Sequence, residues 1–223
     1  MKLRVGVVGV GSAWESRHLP ALRALEDRFE VVAVCDPVQH RAQQVARQFD
    51  AKVYDGFRVL MDRDDIDCVL LLSSTFYGAT PIFAACEYGK AVFCAAALEL
   101  EDQQAAELRQ RVQESGIAFM AEFGCRLSPA TLRLKELLAT RLGKPRLLFC
   151  NRRRSSPDQC ESGDRCARDL VELVDWCRYV VDGNPTSLLA TAHHSPETPF
   201  YDYFAGSLDF SPNAEVGKGP AAI

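Results

Sequence analysis

No stretch of this sequence stays apolar long enough to cross a bilayer. Its longest runs, residues 31–35, 68–72 and 91–98, fall well short of the ~20 residues a spanning helix needs. Excess positive charge is missing too: 26 Lys and Arg stand against 30 Asp and Glu, a net charge of −4, so no broad attraction draws nucleic acid or an anionic membrane. There is no Cys-x-x-Cys pair, and neither Cys160 nor Cys166 has a spaced histidine partner, so no metal site is expected. His193-His194 reads as a strand-end surface pair. No repeats or low-complexity tracts break the chain, and Met1-Lys2 before the first apolar run leaves no room for a signal peptide. These absences predict a cytoplasmic protein without nucleic-acid or membrane partners.

The most informative absence is a glycine. Residues 3–8 form an apolar, β-branched run ending in Gly9-Val10-Gly11, and a helix is predicted over residues 17–25. A buried parallel strand delivers the chain to a helix N-terminus in this way. Gly9 permits the tight turn, and Gly11 lets a diphosphate approach the backbone, where N–H groups at the helix start favour an anion. The third glycine of the dinucleotide fingerprint belongs at position 14, where Trp14 stands.

Most of what is present supports a layered α/β chain. The 223 residues are 48% hydrophobic, enough for one large domain or two small ones. Of nine cysteines, Cys35, Cys68, Cys86, Cys94, Cys150 and Cys177 lie in apolar runs, the pattern of reduced core thiols. A second strand, 30–35, ends at Asp36-Pro37. Asp36 lies 25 residues past Gly11, where such folds place an acid on the adenosine ribose; capping of the helix over 38–49 explains it equally well. Arg41, one turn on, suits a 2′-phosphate instead, so NAD and NADP both stay open, with NAD favoured. Further strands are predicted at 53–54, 66–72, 91–94 and 117–123, alternating with helices at 57–61, 80–87 and 100–115. That alternation specifies a doubly wound parallel sheet, a Rossmann domain over 1–123. The residues assigned to the cofactor are Gly9, Gly11, Ser12, Ala13, Trp14, Asp36, Arg41, Ser73 and Ser74.

The pattern changes over 124–223. Helices are predicted at 129–140 and 170–181, and strands at 146–151, 187–192 and 201–210. The basic run Arg152-Arg153-Arg154 reads as solvated surface, with a phosphate or acidic-substrate contact as the minor alternative.

The sequence resembles the Gfo/Idh/MocA family of glucose–fructose oxidoreductases and inositol dehydrogenases over nearly its whole length. The shared marks are residues 5–11, His18-Leu19-Pro20-Ala21-Leu22, residues 31–37, 89–94, Arg126-Leu127-Ser128-Pro129, Gly143-Lys144-Pro145, residues 175–179 and Gly183. The resemblance implies a nucleotide-binding domain followed by an α/β domain with an open, mostly antiparallel sheet. It also implies hydride transfer between nicotinamide and a sugar, polyol or related hydroxyl, and homo-oligomers formed through that sheet. The chain stops where the family's sheet would still be adding strands, so it is read as a shortened protein or a fragment.

Three departures bear on activity. Ala95-Ala96-Ala97 stands where the family carries Glu-Lys-Pro, whose lysine polarises or deprotonates the substrate hydroxyl. Ser73-Ser74-Thr75-Phe76-Tyr77-Gly78 lacks the histidine of the family's Thr-Pro-x-x-x-His. Glu172 aligns with the acid–base histidine, while the following aspartate persists as Asp175. At i and i+3 these two carboxylates share a helix face and are the catalytic candidates, with Tyr77 or a water as other possible bases. The plain alternative is an exposed face paired with Arg168 or Arg178. Three readings stand: an oxidoreductase with an altered acid–base set, a nucleotide-binding protein without turnover, and a structural subunit whose Trp14 fills the diphosphate site.

Overall fold

In the computed structural model, contacts divide the chain into two compact units, Met1–Glu122 and Phe123–Ile223. The residues described are 2–11, 13–73, 76–95, 98, 100–153 and 164–211, without the side chains of 164–168, 194 and 201–203.

The first unit is a six-stranded parallel sheet. Its strands are β1 (Leu3–Val8), β2 (Phe29–Cys35), β3 (Lys52–Val53), β4 (Cys68–Leu71), β5 (Ala91–Cys94) and β6 (Phe119–Ala121), in spatial order β3-β2-β1-β4-β5-β6. The order reverses between β1 and β4, the switch point where the carboxyl ends of such sheets open a crevice. Helices α1 (Leu19–Ala24) and α2 (Gln39–Phe49) cover one face, burying Leu19, Leu22, Ala42 and Val45 against Val5, Val7, Val31 and Val34. Helices α3 (Phe57–Met61), α4 (Thr80–Glu87) and α5 (Asp102–Ser115) cover the other, with Leu60, Met61, Ile82 and Leu108 against Val8, Val69, Leu71 and Val92. Two covered faces explain why these strands read as unbroken apolar runs.

The predicted helix at 17–25 starts earlier and differently. Trp14–His18 is one π-helical turn, with Arg17 N–H and His18 N–H both donating to Ala13 O at 3.0 and 3.3 Å, and α1 follows directly. Pro20 sits in the first turn of α1, where its missing N–H costs nothing.

In the second unit a short 3₁₀ turn, Gly124–Leu127, precedes α6 (Pro129–Leu137), which runs on as a π turn, Leu138–Leu142. Ser128 caps α6 by accepting from Thr131 N–H at 3.2 Å. Helix α7 (Asp164–Val181) docks through Trp176 Nε1–H donating to Thr131 Oγ1 at 2.9 Å and through Lys135 Nζ donating to Tyr179 O at 3.0 Å. Strands β7 (Ser187–His194) and β8 (Tyr201–Asp209) pair antiparallel. The strand expected at 146–151 does not form: no neighbouring strand pairs with it among the described residues, and Leu147 and Phe149 are exposed. Local sequence alone does not hold a strand without a ladder.

Candidate functional site

The carboxyl ends of β1 and β4 are packed so closely that only glycine fits. Gly9 has φ +70°, and a Cβ there would sit 2.8 Å from Ser73 O; one at Gly11 would sit 2.4 Å from Leu72 O. Gly11 is therefore fixed by the neighbouring strand end as well as by any ligand. The turn is anchored on its other side by β2. Gly9 N–H donates to Cys35 O at 2.8 Å, and Val10 N–H donates to Asp36 Oδ2 at 2.7 Å.

Asp36 is held by backbone donors on both sides, Val10 N–H before it and Val38 N–H after it. Its Oδ1 accepts from Val38 N–H at 2.8 Å, just ahead of α2, and its side chain is 2% exposed. Arg41 lies over the same place, donating to Val10 O at 3.4 Å with a nitrogen 4.0 Å from Asp36 Oδ1, and remains half exposed. Gly9, Gly11, Ala13, Asp36, Arg41 and Ser73 thus gather around one turn, while Ser12 and Ser74 lie outside the described residues.

Trp14 occupies neither the turn's outer side nor solvent. It is 3% exposed, within the apolar layer beneath α1 and α2, where its Nε1–H donates to Gln48 Oε1 at 3.3 Å. A third glycine normally allows the helix to pack closely on the strand. Here the π turn adds the width of one residue at the helix start, which makes room for the indole.

Two contacts at this end of the sheet join residues far apart in sequence. Arg17 donates to Glu122 Oε2 at 2.7 Å, tying the π turn after β1 to the residue following β6, 105 positions away. Tyr77 Oη lies 3.5 Å from Cys35 Sγ, with Phe57 edge-on to its ring, and burial pushes the phenol well above its ordinary value. That favours a hydrogen-bond donor over the base considered from sequence.

In the second unit Glu172 and Asp175 share a face of α7 yet engage different arginines. Asp175 is buried, and Arg126 grips both its oxygens through Nε, at 2.7 Å to Oδ2, and Nη2 to Oδ1. Arg126 also lies over the rings of Phe123 and Tyr179, 5.2 and 5.4 Å from their centroids. Arg152 donates to Glu172 Oε2 at 2.9 Å and to Asp169 Oδ1 at 2.5 Å. Arg178, one of the two partners expected for this face, is spent on Asn184 Oδ1, at 2.9 and 2.6 Å, and the side chain of Arg168, the other, lies outside the described residues. Arg152 itself, read as solvated surface, is an ion-pair residue. Of the alanines at the family's lysine position, Ala95 follows β5 and donates its N–H to Leu71 O at 2.9 Å; Ala96 and Ala97 lie outside the described residues. No cluster of metal-ligating side chains occurs among the described residues, and no helix there is long and apolar enough to cross a membrane.

A parallel sheet of this order, with a glycine turn at its switch point and an acid closing the next strand, defines a Rossmann domain of the dinucleotide-binding kind. Residues 3–123 match the model of an oxidoreductase family with an NAD-binding Rossmann fold. The chain belongs to that family, Gfo/Idh/MocA. It is 27% identical over 199 residues to 2,7-anhydro-N-acetylneuraminate hydratase from Mediterraneibacter gnavus, covering 84% of this chain and 52% of that protein. Inositol 2-dehydrogenase 3 from Saccharopolyspora erythraea is 29% identical over 185 residues, 82% of this chain and 54% of that one. The myo-inositol dehydrogenase of Lactobacillus casei, solved with NAD(H) and myo-inositol, superposes with a TM-score of 0.77 at 25% identity, covering 93% of this chain and 64% of its own. This chain thus spans about half the length of the curated relatives it matches.

Proposed function

We propose that the first unit binds NAD(H) with its diphosphate over the turn from Gly9 to Ala13, and that the protein acts on a hydroxyl of a sugar- or polyol-like compound. The observation that carries this reading is the packed glycine turn at the switch point, with Trp14 withdrawn into the core. The residues fit the cofactor: the side chain absent at Gly9 keeps the backbone close to β4, and Asp36, beside the same turn, is assigned to a ribose hydroxyl. Each Asp36 oxygen keeps lone-pair capacity beyond its one backbone donor. NAD is favoured over NADP because that carboxylate repels a 2′-phosphate, with Arg41 as the partial offset.

When bound, nicotinamide supplies the hydride acceptor or donor. The chain must then handle the hydroxyl proton. Glu172 is assigned that proton, since it meets Arg152 through one oxygen and keeps a third of its side chain exposed. Asp175, whose oxygens are both held by Arg126, is assigned to positioning α7. Positioned acid–base groups contribute ~10²–10⁴-fold in rate, so loss of the family's lysine and histidine slows the reaction without abolishing it.

A second reading, cofactor binding without turnover, is supported by the two arginines that already occupy these carboxylates and by alanine at the lysine position. The test follows nicotinamide absorbance across a polyol and sugar panel for the natural protein, Glu172→Gln and Asp175→Asn. Turnover lost in Glu172→Gln supports the acid–base assignment; activity unchanged in both variants removes these carboxylates from the reaction. Turnover gained only on Ala96→Lys supports the second reading. A cytoplasmic location and self-association through β7 and β8 belong to the same proposal. The latter is supported by the exposure of Leu188, Leu189 and Phe204 on those strands, and light scattering that finds only monomers removes it.

A further inference from the structure

The second unit brings two thiols together. Cys150 Sγ lies 3.5 Å from Cys177 Sγ, across 27 positions of sequence, and neither residue is fully buried. A disulfide has its sulfurs ~2.05 Å apart, so closure asks for about 1.5 Å of movement shared by two side chains. The surroundings give that bond a consequence. Cys150 belongs to the unpaired segment 146–153, whose Arg152 reaches α7 through Asp169 and Glu172. Cys177 is on α7, two residues past Asp175. The contacts from this segment to α7 include the Arg152 ion pairs and the thiol contact.

We propose that Cys150 and Cys177 form an oxidation site: a low-molecular-weight disulfide such as oxidised glutathione converts them to a disulfide, which fastens the segment carrying Arg152 to α7. Cys150, as thiolate, attacks one glutathione sulfur and releases the other glutathione as a thiolate. Cys177 then gives its proton to solvent and attacks the Cys150 sulfur, releasing the second glutathione. Two cysteines are oxidised, one glutathione disulfide is reduced, and the two protons end on the two released thiols. Burial, together with the adjacent Cys150, pushes the Cys177 thiol up to about 12, which makes it the second to react. Capturing Cys150 removes the neighbouring thiol and so part of what keeps Cys177 protonated. Cys35, Cys86 and Cys94 are buried in the first unit and serve as internal controls.

The experiment treats the full chain with oxidised glutathione, blocks remaining thiols with an alkylating agent and maps peptides by mass spectrometry without reduction. A Cys150–Cys177 linked peptide, lighter by two hydrogens and lost on adding dithiothreitol, is the expected result. Cys177→Ser should stop at a glutathione adduct on Cys150. Full alkylation of both cysteines after treatment, or Cys150 linked to another cysteine, overturns the site. Hydrogen exchange checks the tether: backbone amides of 147–153 should exchange several-fold more slowly in the oxidised chain. Equal exchange in the two forms overturns the claim that the bond holds Arg152 in place.

Discussion

The indole of Trp14 meets the ring of Phe49 edge-on, with centroids 6.0 Å apart and planes at 71°. A bulky side chain at the expected third-glycine position has therefore become part of the layer between sheet and helices. The turn at the ends of β1 and β4 keeps Gly9 and Gly11 because the chain widens into a π turn one step before α1. Residue size at that position is thus answered by helix geometry.

Trp14→Ala should cost about 3–5 kcal/mol of stability, the usual range for removing a large aromatic from a packed core. Trp14→Gly restores the three-glycine spacing yet should lose at least as much and bind NAD(H) no more tightly. Urea unfolding with a calorimetric titration of each variant checks both statements. Tighter binding by Trp14→Gly at unchanged stability would mean that the indole obstructs the turn.

Gly11→Ala places a methyl group 2.4 Å from Leu72 O, so the cost falls on the fold before any ligand is added. Overpacking of this kind costs about 1–3 kcal/mol. Gly9→Ala adds the left-handed backbone at φ +70° to a 2.8 Å clash with Ser73 O. Both variants should melt at lower temperature than the natural chain in the absence of nucleotide. An unchanged melting temperature for Gly11→Ala would leave diphosphate approach as the sole reason for that glycine.

Much of this was legible in the sequence, for a physical reason. Parallel strands covered on both faces must be apolar throughout, so β1, β2, β4 and β5 announce themselves, and Gly9 marks its own turn. The π turn was not legible, because it answers the packing of Trp14 against Gln48 and Phe49, 34 and 35 positions on. Separation in sequence likewise hid Arg17 with Glu122 and Arg126 with Asp175, which pair across 105 and 49 positions. Residues 146–151 misled in the opposite sense: their apolar side chains suit a strand, but strand formation depends on a partner elsewhere.

Asp175→Asn leaves the guanidinium of Arg126 facing a neutral amide beside two aromatic rings. Asp175 is buried while Arg126 is about a third exposed, so the loss lies between an exposed pair and a fully buried one, about 2 kcal/mol. Replacing both, Arg126→Leu with Asp175→Leu, should recover part of that loss. Thermal unfolding of Arg126→Leu, Asp175→Leu and the double variant measures it; additive losses would mean the pair is not coupled.

The Arg4 side chain, with its backbone N–H, holds the Asp67 carboxyl at about 2, below its ordinary 3.8. A carboxylate with a depressed native value stabilises the fold fully above its unfolded value and loses that contribution as pH falls through the native one. The melting temperature of the natural chain should therefore drop more steeply than that of Asp67→Asn between pH 3.8 and about 2. Parallel curves for the two proteins would remove the Arg4 pair from the acid stability of this unit.

Main-chain groups at the first crossover are proposed to hold a diphosphate although an indole replaces the third glycine. Calorimetric titration of the folded chain with NADH, and separately with NADPH, tests it directly. A saturable heat at one site per chain is expected, tighter for NADH and weakened by Asp36→Asn. No heat at millimolar concentrations of either nucleotide, from a chain shown by circular dichroism to be folded, would contradict it.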